Sequence, residues 1–332
     1  MPHATVASTR GPAPIKIYYE LWGKSTAPNR VVFIMGLNNS CRSWQKQADY
    51  FQTLPDWQAL LFDNRGVGSS DSPSGRYTTS EMALDTLELL LSIGWSQNIH
   101  CVGVSMGGMI AEELVLKCPV IFSSCILVST HAGGTLPPVD DNWSVPSLTS
   151  IPRMLAMKDP THRVPLMLPL LYPKHHLEAK APADSGYETN YEMHRDSILD
   201  RIKRTRPQPL AGAIGQISAA MTHSVSEARL KLLGKSVPCM VVSGTIDNLV
   251  RPSNSFYLAN TIGCRLEIYP LGGHALPSEQ PEWFNKLILE FMLEANAKKA
   301  NSIAASANGQ INGTESKQAP VKAGLKANGK SK

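Results

Sequence analysis

Ile99-His100-Cys101-Val102-Gly103-Val104-Ser105-Met106-Gly107-Gly108-Met109-Ile110 is the stretch that decides how this chain folds. Residues 99–104 are apolar and rich in β-branched side chains, which predicts a buried strand. Residues 106–117 change to helical periodicity. Between the two lies Gly-x-Ser-x-Gly, with Ser105 flanked by Gly103 and Gly107. Glycine is needed on both sides because a serine on so sharp a strand-to-helix turn leaves no room for neighbouring side chains. The turn lifts the hydroxyl to a helix N-terminus, where backbone N–H groups favour developing negative charge. Ser105 is therefore the candidate nucleophile.

Outward from this segment, apolar runs alternate with amphipathic ones, the pattern of a parallel sheet with crossover helices. The expected strands are 15–21, 31–35, 59–62, 99–104, 125–128, 239–242 and 266–269. The expected helices are 43–51, 79–93, 106–117, 253–261 and 281–295. Fold class follows as α/β, with a doubly wound, mostly parallel sheet. The alternation breaks over 133–230, a Pro- and Met-rich insert that starts where a strand ends and reads as a cap (lid) above the strand C-termini. Residues 1–132 and 231–296 form the core. After Asn296 the sequence turns to Ala, Asn, Gly, Ser and Lys, so 297–332 reads as a disordered tail.

The 332 residues are 42 % hydrophobic, ample for one large core, and the formal charge is +5. Seven lysines against Glu315 put +6 of this charge after residue 297, leaving −1 elsewhere. A neutral body gives no argument for nucleic acid. No run approaches the roughly 18 apolar residues of a membrane span, so no stable membrane insertion is expected. The N-terminus lacks the n- and h-regions of a secretory signal. Six cysteines without a CxxC pair read as reduced core thiols in a cytoplasmic protein.

A nucleophilic serine needs a base, and the base needs a carboxylate to orient it. His274, in Leu271-Gly272-Gly273-His274, follows the last strand in a glycine loop and is the candidate base. His223 lies in the cap without a strand end behind it, while His175 and His176 sit beside Pro173 and Lys174 and read as polar surface. Asp247 lies just past the strand 239–242 and a few residues before a proline-started helix, so catalytic acid and helix N-cap are competing readings. Asp140 and Asp141 are the alternative acids. An oxyanion hole needs two converging N–H donors. Met106, after the nucleophile, offers one, and Leu37, in the loop after strand 31–35, offers the other.

Four motifs in this order, Met35-Gly36…Trp44, Asp63-Asn64-Arg65-Gly66-Val67-Gly68-Ser69-Ser70, Gly103–Gly107 and Gly244…Asp247…His274, resemble the α/β-hydrolase superfamily, in particular its capped esterases, lactonases and carbon–carbon-bond hydrolases. The resemblance covers roughly residues 15–295 apart from the cap. It implies an α/β-hydrolase fold with about eight strands and a helical cap, and two-step acyl transfer from a small-molecule ester without metal or organic cofactor. It gives Asp63 and Arg65 a structural role beside the site. Relatives usually carry His-Gly where this chain has Met35-Gly36, which changes the polarity of the pocket entrance but not the donor N–H.

A carboxylic ester or lactone is the expected substrate. Hydrolysis of a carbon–carbon or thioester bond is the second reading, and a non-catalytic binding protein the third. The apolar segment Met154–Leu171 predicts a pocket for a small or medium apolar acyl group, or else plain packing of the cap onto the core. Arg195, Arg201, Lys203, Arg204 and Arg206 could hold an acidic substrate, but their helical spacing with Asp196 and Asp200 favours a solvated, ion-paired helix face.

Overall fold

The computed structural model of the protein describes residues 2–134, 150, 153–154 and 156–314. Eight strands form one sheet: β1 (His3–Val6), β2 (Ile15–Gly23), β3 (Asn29–Ile34), β4 (Trp57–Phe62), β5 (Ile99–Val104), β6 (Phe122–Val128), β7 (Cys239–Gly244) and β8 (Arg265–Tyr269). Their spatial order is β1-β2-β4-β3-β5-β6-β7-β8. The β1–β2 and β2–β4 pairs are antiparallel. Every other pair, from β4 to β8, is parallel. Strands β4 to β7 of the interior are buried along their whole length, as continuous apolar runs require when helices cover both faces. This is the α/β-hydrolase architecture.

Helices cover both faces. On one lie α2 (Thr79–Ser92) and α3 (Met106–Lys117), with Met82, Leu89, Ile110 and Leu114 in the core. Thr78 and Glu81 start α2 with a reciprocal capping box. On the other face lie α1 (Gln45–Gln52) and a C-terminal helix over Pro281–Thr314. There Trp44, Phe51, Phe284 and Ile288 pack against Phe33 and Leu61. Strand register levels Ile34 with Gly103, Val104 with Val128, and Gly244 with Tyr269. The loops after β3, β5, β7 and β8 therefore open on the same sheet edge.

The insert between β6 and β7, read from the sequence as a cap and called so below, supplies α4 (Val164–Leu171), α5 (Lys174–Glu178), α6 (Asn190–Arg204) and α7 (Leu210–Thr222). Val164, Leu168, Tyr172, Leu177 and Ile198 give it a small apolar core of its own. The chain leaves and re-enters the core side by side, since Gly133 bridges Ser224 and Val225 N–H donates to Ala132 O (2.8 Å). Helix α8 (Glu227–Ser236), whose first residues were assigned to the cap, places Leu230 and Leu233 in the main core. Three helices complete the fold: α9 (Pro252–Ile262), α10 (Leu276–Glu279) and the C-terminal helix, α11.

Two features differ from the reading of the sequence. Strand β1 was missed because four residues carry too short a pattern. Helix α11 runs to Thr314, through residues 297–314 that composition assigned to a disordered tail. Frequent Ala and Lys are strong helix formers, and Lys299 Nζ reaches Asn98 Oδ1 at 3.0 Å. The rest of the tail lies outside the described residues, as do Asp140 and Asp141. Among the described residues no helix is long and apolar enough to cross a membrane.

Candidate active site

Ser105 ends β5 and opens α3 with φ 57° and ψ −125°, a conformation costly for a residue with a Cβ. The elbow is held from all sides. Ser105 N–H donates to Val128 O (2.9 Å), and its carbonyl accepts from Thr130 Oγ1 (2.7 Å) and Gly108 N–H (2.8 Å). A Cβ on Gly103 would stand 2.2 Å from Gly107 O, and one on Gly107 would stand 2.1 Å from Ile34 O. No side chain fits at either position, which is the reason for both glycines.

The loop after β3 passes directly over the serine. A Cβ on Gly36 would lie 3.1 Å from Ser105 Cβ and 3.6 Å from its Oγ. Leu37, the next residue, and Met106, at the first turn of α3, both have N–H groups without a protein acceptor among the described residues. The following N–H, of Asn38, is already taken by Gln216 Oε1 (2.8 Å). Two unused donors thus lie on the residues next to Gly36 and to Ser105, one of them at a positive helix terminus.

Asp247 and His274 meet across the ends of β7 and β8. His274 Nδ1 lies 2.9 Å from Asp247 Oδ2 and 3.0 Å from Oδ1. Leu249 and Val250 N–H groups donate to Oδ1, at 2.8 Å each, which fixes the carboxylate. Asp247 is not the N-cap of α9; Arg251 occupies that position. Both side chains are buried. With Nδ1–H donating to the carboxylate, the lone pair of Nε2 is left unused. No hydrogen bond joins Nε2 to Ser105 Oγ among the described residues.

A second carboxyl stands behind this pair. Glu279 Oε2 accepts from Gly273 N–H (2.9 Å), one residue before His274. Burial pushes Glu279 up to about 7, and the facing charge of Asp247 acts in the same direction. No feature of the sequence marks Glu279, since its role depends on α10 folding back onto the glycine loop. The cap also touches both loops. Asn248 Nδ2 donates to Pro169 O (2.9 Å), and Ala275 N–H donates to Leu171 O (3.0 Å). Tyr172 Oη and Ser278 Oγ lie 2.8 Å apart.

The other candidates sit elsewhere. His223 is sealed between Glu112 Oε2 (3.3 Å) and Thr79 Oγ1 (2.9 Å), beneath the point where cap meets core. His175 is exposed, but His176 is half-buried, its Nε2 3.0 Å from His194 Nε2. Asp63 Oδ1 and Oδ2 each accept one backbone N–H, from Cys41 and Ser69 (2.8 Å each), and Arg65 forks onto buried Asp85. Both residues tie loops together beside the site.

In the cap, Arg195 pairs with Asp196 (2.7 Å) and Arg204 with Asp200 (2.9 Å), the ion-paired face read from the sequence. Arg201 departs from it, having no acidic partner among the described residues. Among them, no group of three or more His, Cys, Asp or Glu is placed to hold a metal.

Comparison with known proteins agrees with this architecture. Residues 29–161 match the family model described as alpha/beta hydrolase fold. The chain is 22 % identical over 283 residues to 3-oxoadipate enol-lactonase 2 of Acinetobacter baylyi, covering 85 % of this chain and 95 % of the relative. A thermophilic esterase from Thermogutta terrifontis superposes with a TM-score of 0.70 at 22 % identity, over 89 % of this chain and 99 % of the other. A bromoperoxidase from Bacillus anthracis gives 0.65 at 20 % identity, over 88 % and 99 %. With its sheet order, elbow and strand-end loops, the chain has the α/β-hydrolase fold.

Proposed function

We propose that the protein is a serine hydrolase of carboxylic esters or lactones, with Ser105, Asp247 and His274 as its triad. The observation that carries this reading is the His274–Asp247 pair, with its free Nε2, on the sheet edge where Ser105 is held at positive φ. His274 takes the Ser105 proton as Oγ attacks the carbonyl carbon. The N–H groups of Leu37 and Met106 receive the oxyanion. His274 then returns the proton to the leaving alcohol, and water, activated by the same imidazole, releases the acid and restores the serine. No cofactor enters these steps.

An ester or lactone bond agrees with the printed names of the esterase and the enol-lactonase among its relatives. The acyl portion is small or medium and apolar next to the scissile bond, because half-buried Met35 and Leu37 flank the glycine that covers the serine. The segment 164–171 contributes less to such a pocket than its composition implies, since Val164 and Leu168 fill the cap's own core. The test is labelling by a fluorophosphonate together with turnover of p-nitrophenyl butyrate. Wild type is expected to show both and Ser105→Ala neither. A Ser105→Ala protein that still labels and turns over at the wild-type rate would sink the assignment.

A further inference from the structure

His274 sits inside a closed turn. The chain after it folds through α10, where the N–H groups of Ser278 and Glu279 both donate to Ala275 O (2.9 Å each). The Glu279 side chain then reaches back to Gly273 N–H. The residues on either side of His274 are therefore both held, but by different acceptors. Ala275 N–H donates to the Leu171 carbonyl of the cap, whereas Gly273 N–H donates to a carboxyl. A carbonyl keeps its charge at every pH, and a carboxyl does not.

The glycine loop has no slack to absorb a movement. Gly272, Gly273 and His274 are all buried. A Cβ on Gly273 would stand 2.6 Å from Pro173 Cδ, and one on Gly244 would stand 2.1 Å from Gly272 O. Ile246 N–H donates to Gly272 O (2.9 Å), one residue before Asp247. A shift of the Gly272–Gly273 peptide is thus passed on both to the imidazole and to the loop of its carboxylate. A buried N–H that loses its acceptor drives such a shift, because it is costly to leave unpaired.

Glu279 is itself buried, and Asp247 and the phenol of Tyr172 face it. The charged groups on the segments packed against α10 are occupied elsewhere. Arg42 lies 3.7 Å from Glu20, and Lys46 faces Glu282, His176 and His194. Asp49 accepts from Gln45 and Gln52, and Lys286 meets Glu290. We propose that Glu279 is a positioning residue for His274: its carboxyl holds the Gly273 peptide that aims the imidazole at Asp247, and its charge adjusts how readily the imidazole keeps a proton. This rests on the triad reading and adds one ionisable group to it.

Two substitutions separate the bond from the charge. Glu279→Gln keeps an oxygen for Gly273 N–H, and Glu279→Leu removes both oxygen and charge. With p-nitrophenyl butyrate, Glu279→Leu should lower kcat about 10- to 100-fold and change KM by less than about threefold. Glu279→Gln should restore most of that loss at high pH. Its acid limb should lie about half a pH unit below that of wild type, because an ionised Glu279 stabilises the imidazolium and the amide does not. Wild type should cross the limb in two coupled ionisations and Glu279→Gln in one. Glu282→Gln, at an exposed position on α11, should keep the wild-type profile.

Proton NMR reads the same coupling without turnover. The low-field resonance of the Nδ1–H between His274 and Asp247, identified by its loss in Asp247→Asn, should shift near pH 7 in wild type, where Glu279 ionises. That step should be missing in Glu279→Gln. Wild-type kcat in a folded Glu279→Leu protein overturns the positioning role. Should Glu279→Leu fail to fold, Glu279→Gln decides: an acid limb and a resonance that both match wild type overturn the proposal. A loss confined to melting temperature makes Glu279 a structural residue only. If no ester is turned over but the resonance keeps its step in wild type and loses it in Glu279→Gln, the ester reading falls and the coupling stands.

Discussion

His274 rests on Asp247 at the ends of β7 and β8, and His223 rests on Glu112 beneath the junction of cap and core. Both rings are buried, and both contact a buried carboxyl. They differ in what meets the second ring nitrogen. Thr79 Oγ1 takes Nδ1 of His223, so both nitrogens of that ring are engaged. The Nε2 of His274 is left with a lone pair facing the cleft. They differ also in their carboxyls. Asp247 receives two backbone N–H bonds. Glu112 has one oxygen with no partner, and burial pushes it toward the neutral acid. One pair leaves a ring nitrogen open, and the other has both ring nitrogens engaged. A histidine beside a carboxyl is thus not by itself a base; the free nitrogen and the fixed carboxyl make the difference.

The sharpest way to break this comparison is to exchange the carboxyls for amides. Asp247→Asn should lower kcat by about four orders of magnitude, because the amide favours the wrong imidazole tautomer. Ser105→Ala should cost at least as much, and in both variants stability should change little. Glu112→Gln should leave kcat for p-nitrophenyl butyrate within a few-fold of wild type. A loss of kcat from Glu112→Gln as large as that from Asp247→Asn would mean that the two pairs have been assigned the wrong way round.

Local features were the ones the sequence made legible. Gly103, Ser105 and Gly107 announce themselves because a two-glycine turn between strand and helix has few other uses. Asp247 and His274, which the structure brings into contact, were picked out by their position after strand ends. The Glu112 contact of His223 was invisible, since the partners lie 111 residues apart. Arg201 departs from the favoured ion-paired reading for a different reason. The charges of 195–206 were taken together, although residues adjacent in sequence do not face each other on a helix. Asp200 meets Arg204 at i+4, whereas Arg201 has Ser197, Ile198, Arg204 and Thr205 at its three- and four-residue spacings. Reading that wheel residue by residue shows an arginine with no acid on its own face. The extension of α11 was missed because low hydropathy was weighed above the helix propensity of alanine and lysine.

Next in size are effects on stability at the sealed pair. His223→Ala leaves Glu112 buried without its partner and opens a cavity, which should cost about 3–5 kcal/mol in denaturant unfolding. The same substitution at His274 should cost less, because Asp247 keeps its two backbone donors. Thr79→Val removes only the bond to Nδ1 at nearly constant volume and should cost about 1–3 kcal/mol. It also frees the second nitrogen of His223. Since no nucleophile stands beside that ring among the described residues, the freed lone pair should confer no ester turnover on a Ser105→Ala background. Turnover in that double variant would show that a free nitrogen matters more than its neighbours.

The smallest expected effect concerns His131, whose ring lies 6.3 Å from that of His223 and whose Nδ1 accepts from Gly133 N–H (2.9 Å) where the chain enters the cap. Burial first, and then His223, lower it to about 4. The unfolded chain binds a proton at this position near pH 6.5, so between about 6.5 and 4 the unfolded state holds more protons than the folded one. Stability contributed by a neutral His131 is therefore complete above pH 6.5 and is lost as the pH falls through that window. At a ring that keeps some solvent contact the loss should be about 1 kcal/mol after screening. His131→Asn retains an acceptor for Gly133 N–H but does not titrate, so its unfolding free energy should fall less steeply than wild type from pH 6.5 to 4. The difference should vanish above pH 7. A variant curve parallel to wild type throughout would assign the acid lability to His100, His176 and His194, which burial also lowers, to about 3, 4 and 3.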